Sequence, residues 1–402
     1  MMIHSRTVKS DRDAPDGLDA LFVTGFLLAA VVYTLMFNLL EDGLRTNIAG
    51  ALGILALARC IASWPRPASA ASTFLLLGFL TVLVFYFVFC MDARQQDGAI
   101  YATLVVRAGT CLAIMMVFTH GPRTVSPSLL AISIVIIGIA AAFVAATGAP
   151  TMLGETLRPA TFTGGNEGVH STGYVLAAAL LGSITLWRCG WLSLPRLLIL
   201  ATPLVALILM FQVRTTWTMI AVYVIATGII ELRSRDRRGG WLAVMIFLAA
   251  VGLLAYVAGL SVDYAEFSSG RTDAYAERIE MILNRQLPEL MFGTGAGSEM
   301  LTNSVWWWAA KNSHNDFIDF TIQAGVVGLA MVVAMLLIAA SRLDRLQWPL
   351  FAAFVSSSMI SNGLLGRPFI AVLLLASMLI PVRQGDREEF SAFPYGLRTQ
   401  EA

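Results

Sequence analysis

From Pro127 to Thr147 the chain reads PSLLAISIVIIGIAAAFVAAT, without one charged side chain. About 20 apolar residues in helical conformation cross the hydrocarbon core of a bilayer, so this stretch reads as a membrane span. Working outward, the same texture recurs upstream in STFLLLGFLTVLVFYFVFC at 72–90 and downstream in VLAAALLGSITLW at 175–187. Over 402 residues the composition is 57% hydrophobic and 13% charged, with a mean hydropathy of +0.73. That balance excludes an ordinary soluble enzyme. The expectation is an all-α polytopic membrane protein, a single integral membrane domain over 1–402. About twelve spans are expected, near residues 18–40, 46–63, 70–91, 98–119, 127–147, 169–188, 195–212, 215–231, 241–260, 314–341, 346–364 and 367–382.

The charges orient these spans. Of the 27 Lys and Arg residues, an N-terminus-inside arrangement puts seventeen in inner loops and tails, nine in outer loops, and Arg107 within a span. This satisfies the positive-inside rule with both termini cytoplasmic. RSRDRR at 233–238 is the firmest inner marker. The polar segments 1–17 and 383–402 become cytoplasmic tails, since a cleavable leader would carry a shorter apolar core and a small-residue cleavage site. A net charge of +1 gives no electrostatic reason to expect a nucleic-acid partner. Cys60, Cys90, Cys111 and Cys189 lie in or at the ends of apolar runs, with neither a disulfide framework nor a metal-ligand spacing.

Two outer loops stand out, 148–168 and 261–313, while the inner connections are short. The longer loop contains TDAYAERIEMILNRQ from residue 272, where Tyr275, Ile279, Ile282 and Leu283 recur at helical spacing. A short amphipathic helix is expected over roughly 272–287, stopped at Pro288. Arg271, Arg278 and Arg285 recur every seven residues along it. Arg278 and Arg285 read as a solvated or headgroup-facing side, whereas Arg271, after the flexible SSG, reads as a ligand for an anion. The glycines of GTGAG, 293–297, follow no strand of a βαβ unit and read as a turn-rich connector. In KNSHNDF, Ser313 and Asp316 resemble a capping box, which makes Ser313 the expected N-cap, His314 the first helical residue and Asp316 a cap. Helix-terminal donors around His314 would lower its pKa and suit a neutral imidazole acting as a base. Trp306, Trp307 and Trp308 read as interface anchors or as a platform for a sugar ring.

The shorter loop, GETLRPATFTGGNEGVHST, gathers Arg158, Asn166, Glu167 and His170 around a glycine turn. FQVRTTW squeezes Arg214 between two spans with almost no loop, which favours a ligand role. Arg107, in mid-span, costs about 2.5 to 3.5 kcal/mol on insertion scales and asks for backbone carbonyls, a water-filled cavity or a bound phosphate. Several arginines, one well-placed histidine and aromatic platforms therefore face outward. Guanidinium forks match phosphate oxygens, and a lipid-linked pyrophosphate fits them, its tail between spans and its headgroup on the arginines.

These residues resemble the O-antigen ligase and O-antigen polymerase superfamily of bacterial envelope glycosyltransferases. The likeness lies in RPATFTGGNEGVHSTGYVLAAALL, in VRTTW, in SSGR followed by LMFGTGAG, and in SHNDFIDFTIQAGVVGLAMVV, in order across most of the chain. The resemblance implies a fold of membrane helices like the C-type glycosyltransferases in the bacterial inner membrane, with the active site facing the periplasm. It implies an undecaprenyl-pyrophosphate-linked glycan as donor, no cofactor and no metal. Carried onto this chain, it implies His314 and Arg214 as catalytic residues and Arg158, Arg271 and Arg107 as donor-binding residues. Asn166, His170, Asn315 and Trp307 are candidate sugar or acceptor contacts. The implied partners are the lipid bilayer, the lipid-linked glycan, an acceptor glycan or lipid A core, and a chain-length regulator. The reading leans towards polymerisation of O-antigen or exopolysaccharide repeats, with ligation to lipid A core as the alternative. Two rival classes stay open: a metal-dependent C-type enzyme using Glu41 and Asp42, and a polysaccharide transporter.

Overall fold

The computed structural model describes residues 24–29, 31, 42–62, 110, 115, 125–153, 156–161, 165–233, 271–295, 297–302, 304, 311–341, 343–361 and 367–383. Among them the chain is almost entirely helical. Helix α1 spans Asp42–Ala62, α2 Pro127–Thr147, α3 Gly165–Arg188, α4 Leu194–Phe211 and α5 Arg214–Arg233. Then come α6 Arg271–Leu283, α7 Leu287–Phe292, α8 Asp316–Ser341, α9 Trp348–Ile360 and α10 Pro368–Met378. A small antiparallel hairpin, β1 Thr151–Leu153 and β2 Thr156–Arg158, joins α2 to α3.

Four helical segments are long and apolar enough to cross a membrane: Pro127–Thr147, Val169–Arg188, Leu194–Phe211 and Asp316–Ser341. The protein is an all-α membrane protein. The expected spans at 70–91, 98–119 and 241–260 lie outside the described residues, Thr110 and Met115 excepted. The last two expected spans come out shorter, at 13 and 11 residues. Ser361 turns extended at the end of α9, and Pro368, which lacks a backbone donor, opens α10.

Side-chain sorting follows bilayer physics. In α2, Ser126 caps the start by accepting from the Leu129 amide, and Pro127 occupies the first turn. Leu130, Ile134, Ile137 and Ala141 form its buried stripe, while Ile132, Ile139 and Phe143 lie exposed on the opposite side. An outward apolar face is costly in water and costs nothing against lipid tails. Helix α3 is the central post, buried on nearly every side from Val169 to Leu186. It packs against α2, α4, α5 and α10. Its small residues permit that closeness: a Cβ on Gly173 would meet Thr216 and Val213, and one on Gly182 would meet Ser377.

The helices alternate in direction. At one end, Arg188 closing α3 pairs with Glu231 of α5 at 2.9 Å and donates to the Leu346 carbonyl ahead of α9. Gln347 reaches the Ile380 carbonyl there, and the Val125 amide donates to Leu379. The opposite end therefore receives the C-termini of α2, α4 and α9 and the N-termini of α3, α5, α8 and α10. Every described candidate for chemistry gathers at that second end.

Candidate functional site

Helix N-termini carry unpaired amides and the positive end of the helix dipole. Those of α3, α5, α6, α8 and α10 converge here, and several cationic side chains are placed among them. Arg158 leaves the hairpin at the position paired with Thr151. Burial, and then the neighbouring Arg214, lower its guanidinium pKa, and its buried Nε has no hydrogen-bond partner. Arg214 opens α5 and Arg271 opens α6. Arg271 donates to the Ile360 carbonyl at 2.7 Å, which ties α6 to the end of α9. His170, in the first turns of α3, feels Arg367, Arg271 and Arg158. Groups of like charge repel one another, so an anion among them would be stabilised; the buried carboxylates Asp316 and Asp319 stand in the same neighbourhood, within electrostatic reach of Tyr275 as Arg271 is.

His314 lies at the centre of this arrangement, immediately before α8. Burial, followed by Arg271, Arg367, His170 and Lys311, pushes its pKa down to about 3. The direction is the expected one, but burial and surrounding cations cause it. The imidazole is neutral throughout the physiological range.

The helix start differs from the expectation. Helix α8 begins at Asp316, and Asn315, not Ser313, is the N-cap: its Oδ1 accepts from the Phe317 amide at 3.0 Å and the Ile318 amide at 3.2 Å. Asp316 is a buried first-turn residue. His314 stands outside the helix with φ 61°, a left-handed conformation uncommon for a residue with a side chain. A set of hydrogen bonds holds it there. The Ser313 amide donates to Asp319 Oδ1 at 2.9 Å, and the Asn315 amide donates to Ser313 Oγ at 3.1 Å. Tyr275 of α6 donates to the His314 and Met359 carbonyls, each at 3.4 Å. Burial raises the Tyr275 phenol to about 12, which keeps it a donor.

The long loop also folds differently from the simple solvated helix expected. Helix α6 ends at Leu283, and Pro288 opens α7 rather than stopping α6, because proline suits a first helical turn. Arg278 is 2% exposed, which overturns its assignment to a solvated face. It donates to the carbonyls of Glu299 at 2.6 Å, Leu301 at 3.3 Å and Lys311 at 2.5 Å. Arg285 likewise turns inward, to the Ile322 carbonyl at 2.8 Å and Thr294 Oγ1 at 3.0 Å. A guanidinium carries five donors, so each arginine ties several backbone segments together, adding a second donor to the Leu301, Lys311 and Ile322 carbonyls, which each also accept a backbone amide. The glycine connector is a turn as expected, with positive φ at Gly293, Gly295 and Gly297. It hydrogen-bonds α8 directly, from the Thr294 and Gly295 amides to the Ile322 and Gln323 carbonyls.

Glu299 is buried beside this connector, and burial with nearby Asp319 raises its pKa to about 7. The protonated form is therefore favoured by folding. Stability from this group is complete below about pH 4.5 and is lost as pH rises through 7. Glu299→Gln, which mimics the neutral acid, is expected to leave the melting temperature unchanged at pH 5 and raise it at pH 8.

Beside the cations an apolar groove of about 440 Å³ runs between α6, α8 and α9, lined by Ile279, Ile282, Phe317, Ile318, Val355 and Met359. The apolar face expected of the amphipathic helix is its wall, and Asn315, next to His314, is at its edge.

The structure thus brings together Arg158, His170, Arg214, Arg271, His314 and Asn315. Asn315 spends its amide oxygen on capping α8. Asn166 is within α3; its side chain, with Arg107, Trp307 and Glu41, lies outside the described residues. The sequence reading gave no role to Arg367, the residue ahead of α10, which also faces His170 and His314. Its only local signal is an arginine directly before the proline that opens a span. Compared with known proteins, the chain matches no family model and no curated sequence.

Proposed function

We propose that the protein is a membrane glycosyltransferase that takes its glycan from an undecaprenyl-pyrophosphate carrier on the periplasmic face. It polymerises O-antigen or exopolysaccharide repeats, inverts the anomeric centre and needs no metal. The observation that carries this reading is a cluster of cations around a neutral histidine, at five helix N-termini and beside an apolar groove. A lipid-linked pyrophosphate has both parts such a place favours: a polyanion for the cations and an isoprenoid chain for the groove.

In this mechanism His314 takes the proton of the acceptor hydroxyl as its oxygen attacks the anomeric carbon. The bond from that carbon to the pyrophosphate oxygen breaks, and its electron pair leaves on the pyrophosphate. Arg214 and Arg271 stabilise that developing charge, with Arg158 holding the far phosphate. The proton on His314 then passes to solvent. A charge-stabilising donor of this kind contributes ~10²-fold or more to kcat, so Arg214→Gln is expected to lower turnover by that factor. Assay in vesicles containing lipid-linked repeats, with chelator present, tests both points. Undiminished turnover in Arg214→Gln removes its role, and loss of wild-type activity on chelation removes the metal-independent mechanism.

A further inference from the structure

In water an amphipathic helix buries its apolar side and shows its charged side. Helix α6 is packed the other way round. Residues three or four apart share a helix face, and Arg271, Tyr275 and Arg278 lie on the face turned into the protein. Each ends on backbone carbonyls: Arg271 on Ile360, Tyr275 on His314 and Met359, and Arg278 on Glu299, Leu301 and Lys311. The neighbouring flank is apolar and open. Ile279 is 47% exposed and Leu283 72%, and Leu287, four residues further on at the start of α7, is 69% exposed. The remaining side carries the exposed acids Asp273 and Glu280. Protein covers the first side and water suits the third, while the flank between them calls for an apolar medium.

The packing of α6 and α7 brings that flank to the depth of a span. Tyr275 meets the His314 carbonyl just ahead of α8, Arg285 donates to the Ile322 carbonyl at 2.8 Å, and Gly293 lies against the Gln323 backbone. The two short helices therefore descend along α8 instead of standing above it. Gln323 is seven residues past Asp316, about 10 Å along the helix axis, and α8 is long and apolar enough to cross a membrane. The apolar groove joins the two surfaces. Its walls combine Ile279 and Leu283 with Leu329 of α8 and Met359 of α9. Val326 and Leu337 of α8 and Met359 itself are exposed, so the flank of α6 continues the face that these helices turn to lipid.

We propose that Ile279, Leu283 and Leu287 rest on the acyl chains of the leaflet at this end of the helices, making α6 and α7 an interfacial element. The partner is the apolar part of the bilayer and not its headgroup charge, because the exposed charges beside the flank are acidic. The contact also reaches the candidate site. Tyr275 ties the His314 turn to the inner face of α6, so seating the flank in lipid sets the height of His314 relative to the bilayer. This inference stands apart from the glycosyltransferase reading, since it needs only the packing of α6 and α7.

The test puts p-benzoylphenylalanine in place of Ile279, Leu283, Leu287, Asp273 or Glu280, one site at a time, in the full chain in phosphatidylcholine nanodiscs. Adducts formed on irradiation are identified by mass spectrometry. Phospholipid adducts at Leu283 and Leu287 are expected to exceed those at Asp273 and Glu280 by ~5-fold or more. The yields should not change when phosphatidylglycerol replaces part of the phosphatidylcholine. As an independent measurement, Leu283→Asp should lower the melting temperature in nanodiscs by ~2 °C or more, and Glu280→Gln should leave it unchanged.

Equal lipid yields at Leu283 and Glu280 overturn the proposal, and so does a wild-type melting temperature in Leu283→Asp. Adducts at Leu283 and Leu287 that join two copies of the chain identify a self-association surface instead. Lipid adducts that form only with phosphatidylglycerol identify headgroup attraction. Either result rejects the acyl-chain contact, and neither bears on glycan transfer, which is measured separately.

Discussion

Replacing His314 by alanine is expected to lower glycan transfer by ~10²- to 10⁴-fold, the contribution of a positioned general base. The structure allows a sharper version. His314 has φ 61°, a conformation that costs a side-chain-bearing residue about 1 to 3 kcal/mol and that glycine adopts freely. His314→Gly should therefore lose transfer while its melting temperature holds or rises. A residue retained only to cap or pack the helix would show the opposite, lower stability with activity kept in proportion to folded protein.

The same histidine gives a pH signature. With its pKa pushed down to about 3 in the ligand-free protein, it stays neutral as pH falls through 6.5, and kcat/KM should show no acid limb from it down to pH 5. The kcat profile reports the complex instead. A bound pyrophosphate sets negative charge against His314 and favours its protonated form, so the acid limb of kcat should lie at higher pH than that of kcat/KM. Stability follows the depressed value: the contribution is complete above about pH 6.5 and is lost as pH falls towards 3.

The second large effect is expected at Gly293 and Gly325. Their φ values are 75° and 68°, and each sits with its α-carbon against the other segment's backbone. A Cβ on Gly293 would overlap the Gln323 carbonyl, and one on Gly325 would overlap the Met291 carbonyl. Neither obstacle is a flexible side-chain end, so strain and overlap add. Gly293→Ala or Gly325→Ala is expected to cost about 3 to 5 kcal/mol, read as loss of folded protein in detergent. Activity should fall with it, because Gly325 kinks α8 and the segment before the kink carries the Asn315 cap and the His314 turn. Gly25, whose added Cβ would meet nothing within 4 Å, is a suitable control.

Much of the architecture is legible in the sequence because burial in lipid and helix formation leave local marks. An uncharged run such as 127–147 needs no distant partner to declare itself. The gathering of Arg158, Arg214, Arg271 and His314 could be anticipated because each stands at a span boundary that the charge pattern puts on one side. The misreadings concern residues whose partners are remote or whose local pattern fits two structures. Ser313 and Asn315 are both good caps, and what decides between them is Asp319, which takes the Ser313 amide. Pro288 ends one helix pattern and begins another with equal ease. Arg278 looked solvated because its carbonyl partners come from a loop 21 to 33 residues further on. Arg367 carried almost no mark, since Ser171, which accepts from its Nε, lies 196 residues away in the chain.

The most direct test of the central claim is reconstitution of the purified protein in vesicles with lipid-linked repeat units, without nucleotide sugars, following glycan length and free undecaprenyl pyrophosphate together. The account predicts longer glycans on the carrier, one lipid pyrophosphate released for each new glycosidic bond, and neither product with His314→Ala. Labelled lipid-linked glycan that crosses the bilayer with its length unchanged, and no pyrophosphate carrier released, would contradict it and identify a transporter instead.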